Sequence, residues 1–418
     1  MDVAPLTGIR VIESGGLLVE FAGKLLAGMG AEVIKIEPPG GSISRQVGPF
    51  ASDASHAESS LYFCHYNQSK KSVVLDLDSV SGRQAANKLL ETADVLLTSG
   101  TEWGAAHPVE AITSRHPRLI VAIVTPWGRS GPYTAYKWSD LVLLSMGGLT
   151  HHCGYDEPLT SPIRGGGYQA INASGQFATQ GIMLAWLERQ ASGVGQVVDV
   201  AAQHALAMCI EMGNLYWHYN QVVLRRQTGR HAAPPTVRTQ RTQHLCRDGR
   251  YVNLMLRIQD DGDWSRLSKW LTDAGIIGEL NAPEFTDRIY RGSPESAAQI
   301  QDAVESLALM QNAEDFYYEA QRRGLICGVI RSPEELLANE HLAQRNYFVR
   351  LEQPGLDHVV TVPGSPWVSS SSNWLVAPAP SLGAHTREVM RSIGYADREI
   401  DGLITNSIPS EGFIGVIQ

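Results

Sequence analysis

Apolar and polar positions along the first 130 residues follow two alternating periods. Short apolar runs at 9–13, 31–37, 71–77, 94–97 and 118–124 read as strands, and longer amphipathic windows at 17–29 and 79–92 read as helices. Strands alternating with helices call for right-handed crossovers and a parallel, doubly wound sheet, so the predicted class is α/β. Glycines and prolines around 125–133 require a loop, and a helix predicted from Asp140 ends at Gly147-Gly148. A glycine loop at 165–167 then runs into a helix on which Phe177, Leu184 and Leu187 share a face. Gly175 and Gly181 interrupt that helix at a cost in propensity, which predicts close approach of another backbone or a ligand. Residues 192–195 end it, residues 196–200 read as a strand, and 201–219, apolar on most faces, is expected to be a buried helix.

The pattern changes near Val222. Arg225, Arg226, Arg230, Arg238 and Arg241 with Pro234 and Pro235 form a polar, basic passage that reads as a linker into a smaller α+β domain. Helices are predicted there at 260–274 and 294–323, the second with Ser293 as N-cap and Pro294 in its first turn. Trp264, Leu267 and Leu271 fall at helical spacing and are read as core. Ser332 with Glu335 three positions on is a capping box. The expected division is 1–221 for the first part of a large domain, 222–330 for linker and small domain, and 331–418 for a return to the large domain.

Composition narrows the function classes. A chain of 418 residues that is 43% hydrophobic can bury a large core. A net charge of −9 argues against nucleic acid as a partner, since phosphate binding needs a basic surface. No apolar run approaches the ~20 residues of a membrane span, and no secretory signal is read, so the expected location is cytoplasmic. Five scattered cysteines fit reduced thiols. His151-His152-Cys153 has no second cluster at ligand spacing, so no metal site is predicted. The turn Ser14-Gly15-Gly16 is not a dinucleotide fingerprint.

Several separate stretches resemble the family III CoA-transferases, the group containing formyl-CoA:oxalate CoA-transferase, carnitine CoA-transferase and α-methylacyl-CoA racemase. One is Gly30-Ala31-Glu32-Val33-Ile34-Lys35-Ile36-Glu37 with Gly40-Gly41 and Arg45. Others are Asn67-Gln68-Ser69-Lys70-Lys71-Ser72, the glycines Gly175, Gly181 and Gly193 before Gly195-Gln196-Val197-Val198-Asp199-Val200, and Leu382-Gly383-Ala384-His385-Thr386. The resemblance spans about residues 6–403. It implies a large Rossmann-like domain with a smaller α+β domain, an interlocked dimer, no permanently bound cofactor, and a CoA thioester as substrate. It places CoA contacts at Lys137, Leu75 and Ser99. The family's nucleophilic Asp falls on Ile171, so no catalytic residue is assigned, and Pro38 stands where an arginine often follows the Ile-Lys-Ile-Glu strand. The racemase branch's His-Asp pair is Ser139-Asp140 here, which leaves no acid–base pair for racemisation.

Transfer in the family proceeds through a carboxylate that attacks the thioester, and an isoleucine has no such group. Three readings of function follow. The chain is a non-catalytic subunit whose homologous partner carries the Asp, as in heteromeric benzylsuccinate-type CoA-transferases that move CoA from succinyl-CoA in aromatic degradation. Alternatively it is an active homodimer using a displaced acid such as Asp156 or Glu157, or an acyl-CoA-binding protein without turnover. The first is the reading adopted. Asp199, in a Val-Val-Asp-Val strand, is read as structural.

Overall fold

The computed structural model describes residues 4–51, 58–100, 108–156, 160–356 and 358–405; Glu157 lies outside them. The predicted alternation is realised as β1 (Arg10–Ser14), α1 (Leu17–Gly28), β2 (Glu32–Glu37), α2 (Leu61–Tyr66), β3 (Lys71–Val74), α3 (Val80–Glu91), β4 (Val95–Thr98), α4 (Val109–Arg115), β5 (Ile120–Thr125), α5 (Asp140–Met146), α6 (Gln169–Ser192) and β6 (Val197–Ala201). The six strands form one sheet in the order β3-β2-β1-β4-β5-β6, and every pair is parallel. The order reverses between β1 and β4, which makes their carboxyl ends the topological switch point where open α/β sheets bind ligands. The central strands β2, β1, β4 and β5 are buried on both faces, as a parallel sheet covered by helices requires, whereas the edge strand β6 is partly exposed. The β3 edge is closed by the Leu382–Thr386 motif: the Ser72 carbonyl accepts the His385 amide at 3.0 Å, and Thr386 Oγ1 accepts the Val74 amide at 3.1 Å.

The chain divides into two compact units. One comprises Met1–Gly147, Gly166–Cys209 and Glu340–Gln418; the other comprises Gly148–Gly165 and Ile210–Asn339. Residues 201–219, expected as one buried helix, are instead α7 (Ala202–Met208) and α8 (Glu211–Asn220), broken at Cys209-Ile210. Met208, Trp217 and Tyr219 are exposed, because an apolar composition marks a surface to be covered without saying that this chain covers it.

The second unit continues with β7 (Gln243–Leu245), β8 (Tyr251–Met255), α9 (Asp261–Asp273), α10 (Arg288–Arg291), α11 (Pro294–Leu309), α12 (Ala313–Arg322), β9 (Ile326–Val329) and α13 (Pro333–Leu337). Strands β7, β8 and β9 form an antiparallel sheet. The helix predicted over 294–323 is two helices. The chain turns at 310–312 so that Ile300, Val304 and Leu307 of α11 and Phe316 and Ala320 of α12 enter one core with Trp264, Leu267 and Leu271. The local signals hold at the predicted caps, since Ser293 starts α11 and Ser332 and Glu335 close a capping box on α13, and the helix predicted over 260–274 is capped by Asp260 as α9. The basic passage read as a linker is folded into this unit. Arg226 is buried and donates to the carbonyls of Thr160 (3.0 Å) and Tyr155 (3.3 Å), and Arg230 pairs with Arg241 in an antiparallel bridge. Among the described residues, no helix is long and apolar enough to cross a membrane.

Candidate functional site

The long helix α6 carries the position on which the sequence reading turns. Its buried face is not the one that Phe177, Leu184 and Leu187 suggested. Ala170, Ile171, Ser174, Gly175, Ala178, Ile182 and Ala185 point inward, while Leu184 and Leu187 are about two-thirds exposed, at 67% and 64%. The reason is steric. A Cβ on Gly175 would lie 2.8 Å from the Phe21 Cβ and 3.0 Å from the Ala22 nitrogen, so α1 and α6 approach too closely for anything but small side chains. A Cβ on Gly181 would come within 2.7 Å of Val198 on β6. Both glycines therefore mark close packing inside this unit. Gly193, left-handed at φ 75°, ends the helix as its position predicted.

Ile171 sits in the first turn of α6 and is fully buried. Around it the fold keeps polar supports. Asp140, in the first turn of α5, accepts the Ala170 amide at 3.0 Å, satisfying one of the donors that a helix start leaves open, since Tyr168 gives no side-chain cap. Ser139 caps α5 through Val142 N at 3.3 Å. The Tyr66 hydroxyl donates to Asn172 Oδ1 at 2.9 Å. The Tyr62 and Tyr66 rings lie 4.4 Å apart and the Tyr62 and Tyr168 rings 4.9 Å apart. Burial pushes the Tyr66 phenol up to about 12, and burial with nearby Glu20 pushes Tyr62 up further, so both stay protonated. Tyr66 is a hydrogen-bond donor to Asn172 rather than a base. Asp140 and the tyrosine cluster were not assigned from the sequence as supports of this turn. The Ser-Asp pair opening a helix was the available signal.

At the carboxyl ends of the strands on one side of the switch point lies a cleft of about 390 Å³, lined by Ser14, Gly15, Pro38, Ser42, Leu75 and Asp78 among others. Leu75 thus reaches a cleft, as does Pro38. Ser99 lies beside it: a Cβ on Gly15 would be 3.1 Å from the Ser99 nitrogen. Lys137 is exposed and is not part of the lining. Among the described residues, the ionisable groups lining the cleft are Asp76 and Asp78, so a nucleotide's phosphates would meet like charge there.

A buried ionic network adjoins this cleft, reaching its lining through the bonds of Ser42 to Glu37. Lys35 bridges Glu13 at 3.0 Å and Glu20 at 2.8 Å, and Lys70 pairs with Glu13 at 2.7 Å, all four side chains being sealed from solvent. Glu37 receives Arg45 at 2.7 and 2.8 Å, Ser72 at 2.6 Å, and both the amide and hydroxyl of Ser42 at 3.0 Å. The Glu37 contacts fix the loop that carries Ser42 and Ile43 into the cleft. Burial pulls the Glu37 carboxyl upward, but the hydrogen bonds and charge of Arg45, with Lys35, outweigh it and hold the group at about 2. Lys35, despite burial, is raised by Glu20 and Glu13 and stays charged.

The remaining acids have local structural duties. Asp156 accepts the Thr228 amide at 2.7 Å and faces Arg238 at 3.4 Å, tying two loops of the second unit; the Thr228 amide holds its carboxyl below the usual range. Asp199 is exposed and accepts the Arg129 amide at 3.3 Å. His151 Nε2 is 3.2 Å from the Leu224 carbonyl.

The chain is 31% identical over 402 residues to the succinyl-CoA:(R)-benzylsuccinate CoA-transferase subunit BbsE of Thauera aromatica, covering 94% of this chain and 96% of that one. It is 27% identical over 405 residues to the succinate–glutarate CoA-transferase of Agrobacterium fabrum, covering 94% and 97%. Its fold superposes on that of a CAIB/BAIF family protein from Brucella suis with a TM-score of 0.79 at 23% identity, covering 94% of this chain and all of the other. The profile of CoA-transferase family III matches residues 6–386, and the chain therefore belongs to that family of CoA-transferases, whose substrates are CoA thioesters.

Proposed function

We propose that this chain is the nucleophile-lacking subunit of a heteromeric CoA-transferase that takes CoA from succinyl-CoA to a carboxylic acid of the benzylsuccinate type. One observation carries the reading: the first turn of α6, where the family resemblance puts the attacking carboxylate, holds a fully buried isoleucine. A hydrocarbon cannot attack a thioester carbonyl, and no side chain of that turn itself carries a carboxylate to form the acyl–carboxylate anhydride that splits the transfer into two easier steps. The nearby Asp140 is buried and engaged with the Ala170 amide. In the complex, a carboxylate of the homologous partner attacks the succinyl thioester, forming a mixed anhydride and releasing CoA thiolate. The thiolate attacks the enzyme-side carbonyl, expelling succinate and giving the enzyme thioester. The acceptor's carboxylate then attacks that thioester to form a second anhydride and free the thiolate. This thiolate attacks the acceptor carbonyl to give the acceptor's CoA thioester and regenerate the partner's carboxylate.

Two further features support this reading. The cleft beside Leu75 is lined by Asp76 and Asp78, a poor match to CoA phosphates, so Leu75, Ser99 and Lys137 are retained only as weak CoA contacts. Leu184 and Leu187 on α6 and Met208 on α7, each more than 60% exposed, suit a chain covered by a homologous subunit. The test is CoA exchange between succinyl-CoA and benzylsuccinate by the purified chain, alone and with an Asp-bearing homologous chain. Turnover only in the mixture is expected. Turnover by this chain alone would overturn the assignment.

A further inference from the structure

The second unit contains a cleft of about 740 Å³ whose charge is opposite to that of the chain as a whole. Arg164, Arg230, Arg241, His152 and His231 line it, and among the described residues no Asp or Glu does. The whole chain carries −9, so this is a local concentration of cations rather than a background. Two segments supply it. His152 and Arg164 come from the stretch before α6, and Arg230 and Arg241 from a folded pair of strand-like segments. Arg230 and Arg241 face each other in an antiparallel bridge, so their side chains leave the same face. The turn is closed by Thr242 N donating to the Gly229 carbonyl at 2.9 Å.

The two guanidiniums differ in what they already hold. Arg241 pairs with Glu305 at 2.8 Å, on the side of an adjoining cleft that both arginines also wall. Arg230 donates to the Thr239 carbonyl, and its Nε is buried without a hydrogen-bond partner. Burial, with Arg238 and Arg241 nearby, pulls the Arg230 pKa down, the direction expected where cations crowd and an anion would relieve them. Neutral donors ring the same space: Gln227, Thr228, Gln243, Tyr251 and Asn253. Cations entering from two segments, with amide and hydroxyl donors between, match a ligand with an anionic group at each end. A guanidinium fork fits a carboxylate edge in particular.

We infer that this cleft binds a dicarboxylic acid, with Arg230 and Arg241 holding one carboxylate. The inference rests on the proposed function only in naming that ligand as the acid partner of the transfer. Calorimetric titration of the purified full chain tests it directly, with succinate, butyrate and inorganic phosphate as probes and no turnover needed. Saturable succinate binding is expected, at least tenfold tighter than butyrate and not displaced by equimolar phosphate. Loss of a charge-assisted pair should weaken succinate by roughly tenfold or more in Arg230→Gln, and Arg230→Lys should recover part of the loss. Melting curves of the variants check that they remain folded. Equal affinity for succinate and butyrate, displacement by phosphate, or unchanged succinate binding in a folded Arg230→Gln would each overturn the inference. CoA transfer by the reconstituted complex is measured separately, so transfer that persists beside a failed titration removes the cleft assignment alone.

Discussion

Replacing Ile171 by Asp would put a carboxylate in the first turn of α6, where the proposed function requires none, at a cost set by burial. The side chain is fully buried, so losing its apolar contacts removes about 2–3 kcal/mol. An imperfectly bonded buried carboxyl adds about 1–3 kcal/mol. The helix start returns about 0.3–1 kcal/mol, and less here because Asp140 already accepts the Ala170 amide. A net loss of about 3–5 kcal/mol is expected, large beside ordinary domain stability. Ile171→Asn is the control, nearly isosteric with the Asp variant but uncharged. Burial raises the folded pKa of the new Asp above its unfolded value near ~3.9. Between those two values the unfolded state has released its proton and the folded state has not, so stability falls as pH rises. The Asp variant should therefore match Asn in acid and drop below it toward neutrality, by about 1.4 kcal/mol for each unit of raised pKa. Urea unfolding of both variants from pH 4 to 8 measures the difference. A gap that stays flat over that range, or an Asp variant as stable as wild type, would refute the claim that this turn is a sealed apolar site.

The buried network yields two further expectations. A Cβ on Gly23 would fall 1.7 Å from Glu13 Oε2 and 3.0 Å from the Lys70 amine, so Gly23→Ala must displace a carboxylate shared by two lysines. Despite alanine's better helix propensity, a loss of about 3–5 kcal/mol in urea unfolding is expected, and an alanine variant at least as stable as wild type would contradict the packing described. Glu37, held at about 2 against an ordinary 4.5, contributes stability that is complete above about 4.5 and is lost as pH falls toward 2. Acid titration followed by circular dichroism should show that loss, on the order of 3 kcal/mol, largely absent when Glu37→Gln is compared over the same range.

Much of the fold is local information. The period of the apolar runs determines a parallel α/β unit, because only crossover connections join such strands. The caps at Ser293 and Ser332 are written in two or three residues each, and so is the helix stop at Gly193. Position 171, where the family resemblance puts the nucleophilic carboxylate, is an isoleucine whatever the chain folds into. Tertiary structure decided which way things face. Leu184 and Leu187 have the period of a core face, but the closeness of α1 to α6 reserves the inside for Gly175 and its small neighbours. The apolar run 201–219 becomes two helices with exposed surfaces, and 294–323 bends so that both halves share one core. Lys35, Lys70, Glu13 and Glu20 look like surface charges along the chain; they are buried because strand and helix bring opposite signs within 3.0 Å of each other. The five arginines from Arg225 to Arg241 look like a solvated connector, and only the bridge between Arg230 and Arg241 makes two of them the wall of a cleft. Period and capping are properties of neighbours in sequence, whereas burial of charge and the lining of a cleft depend on partners far apart in the chain.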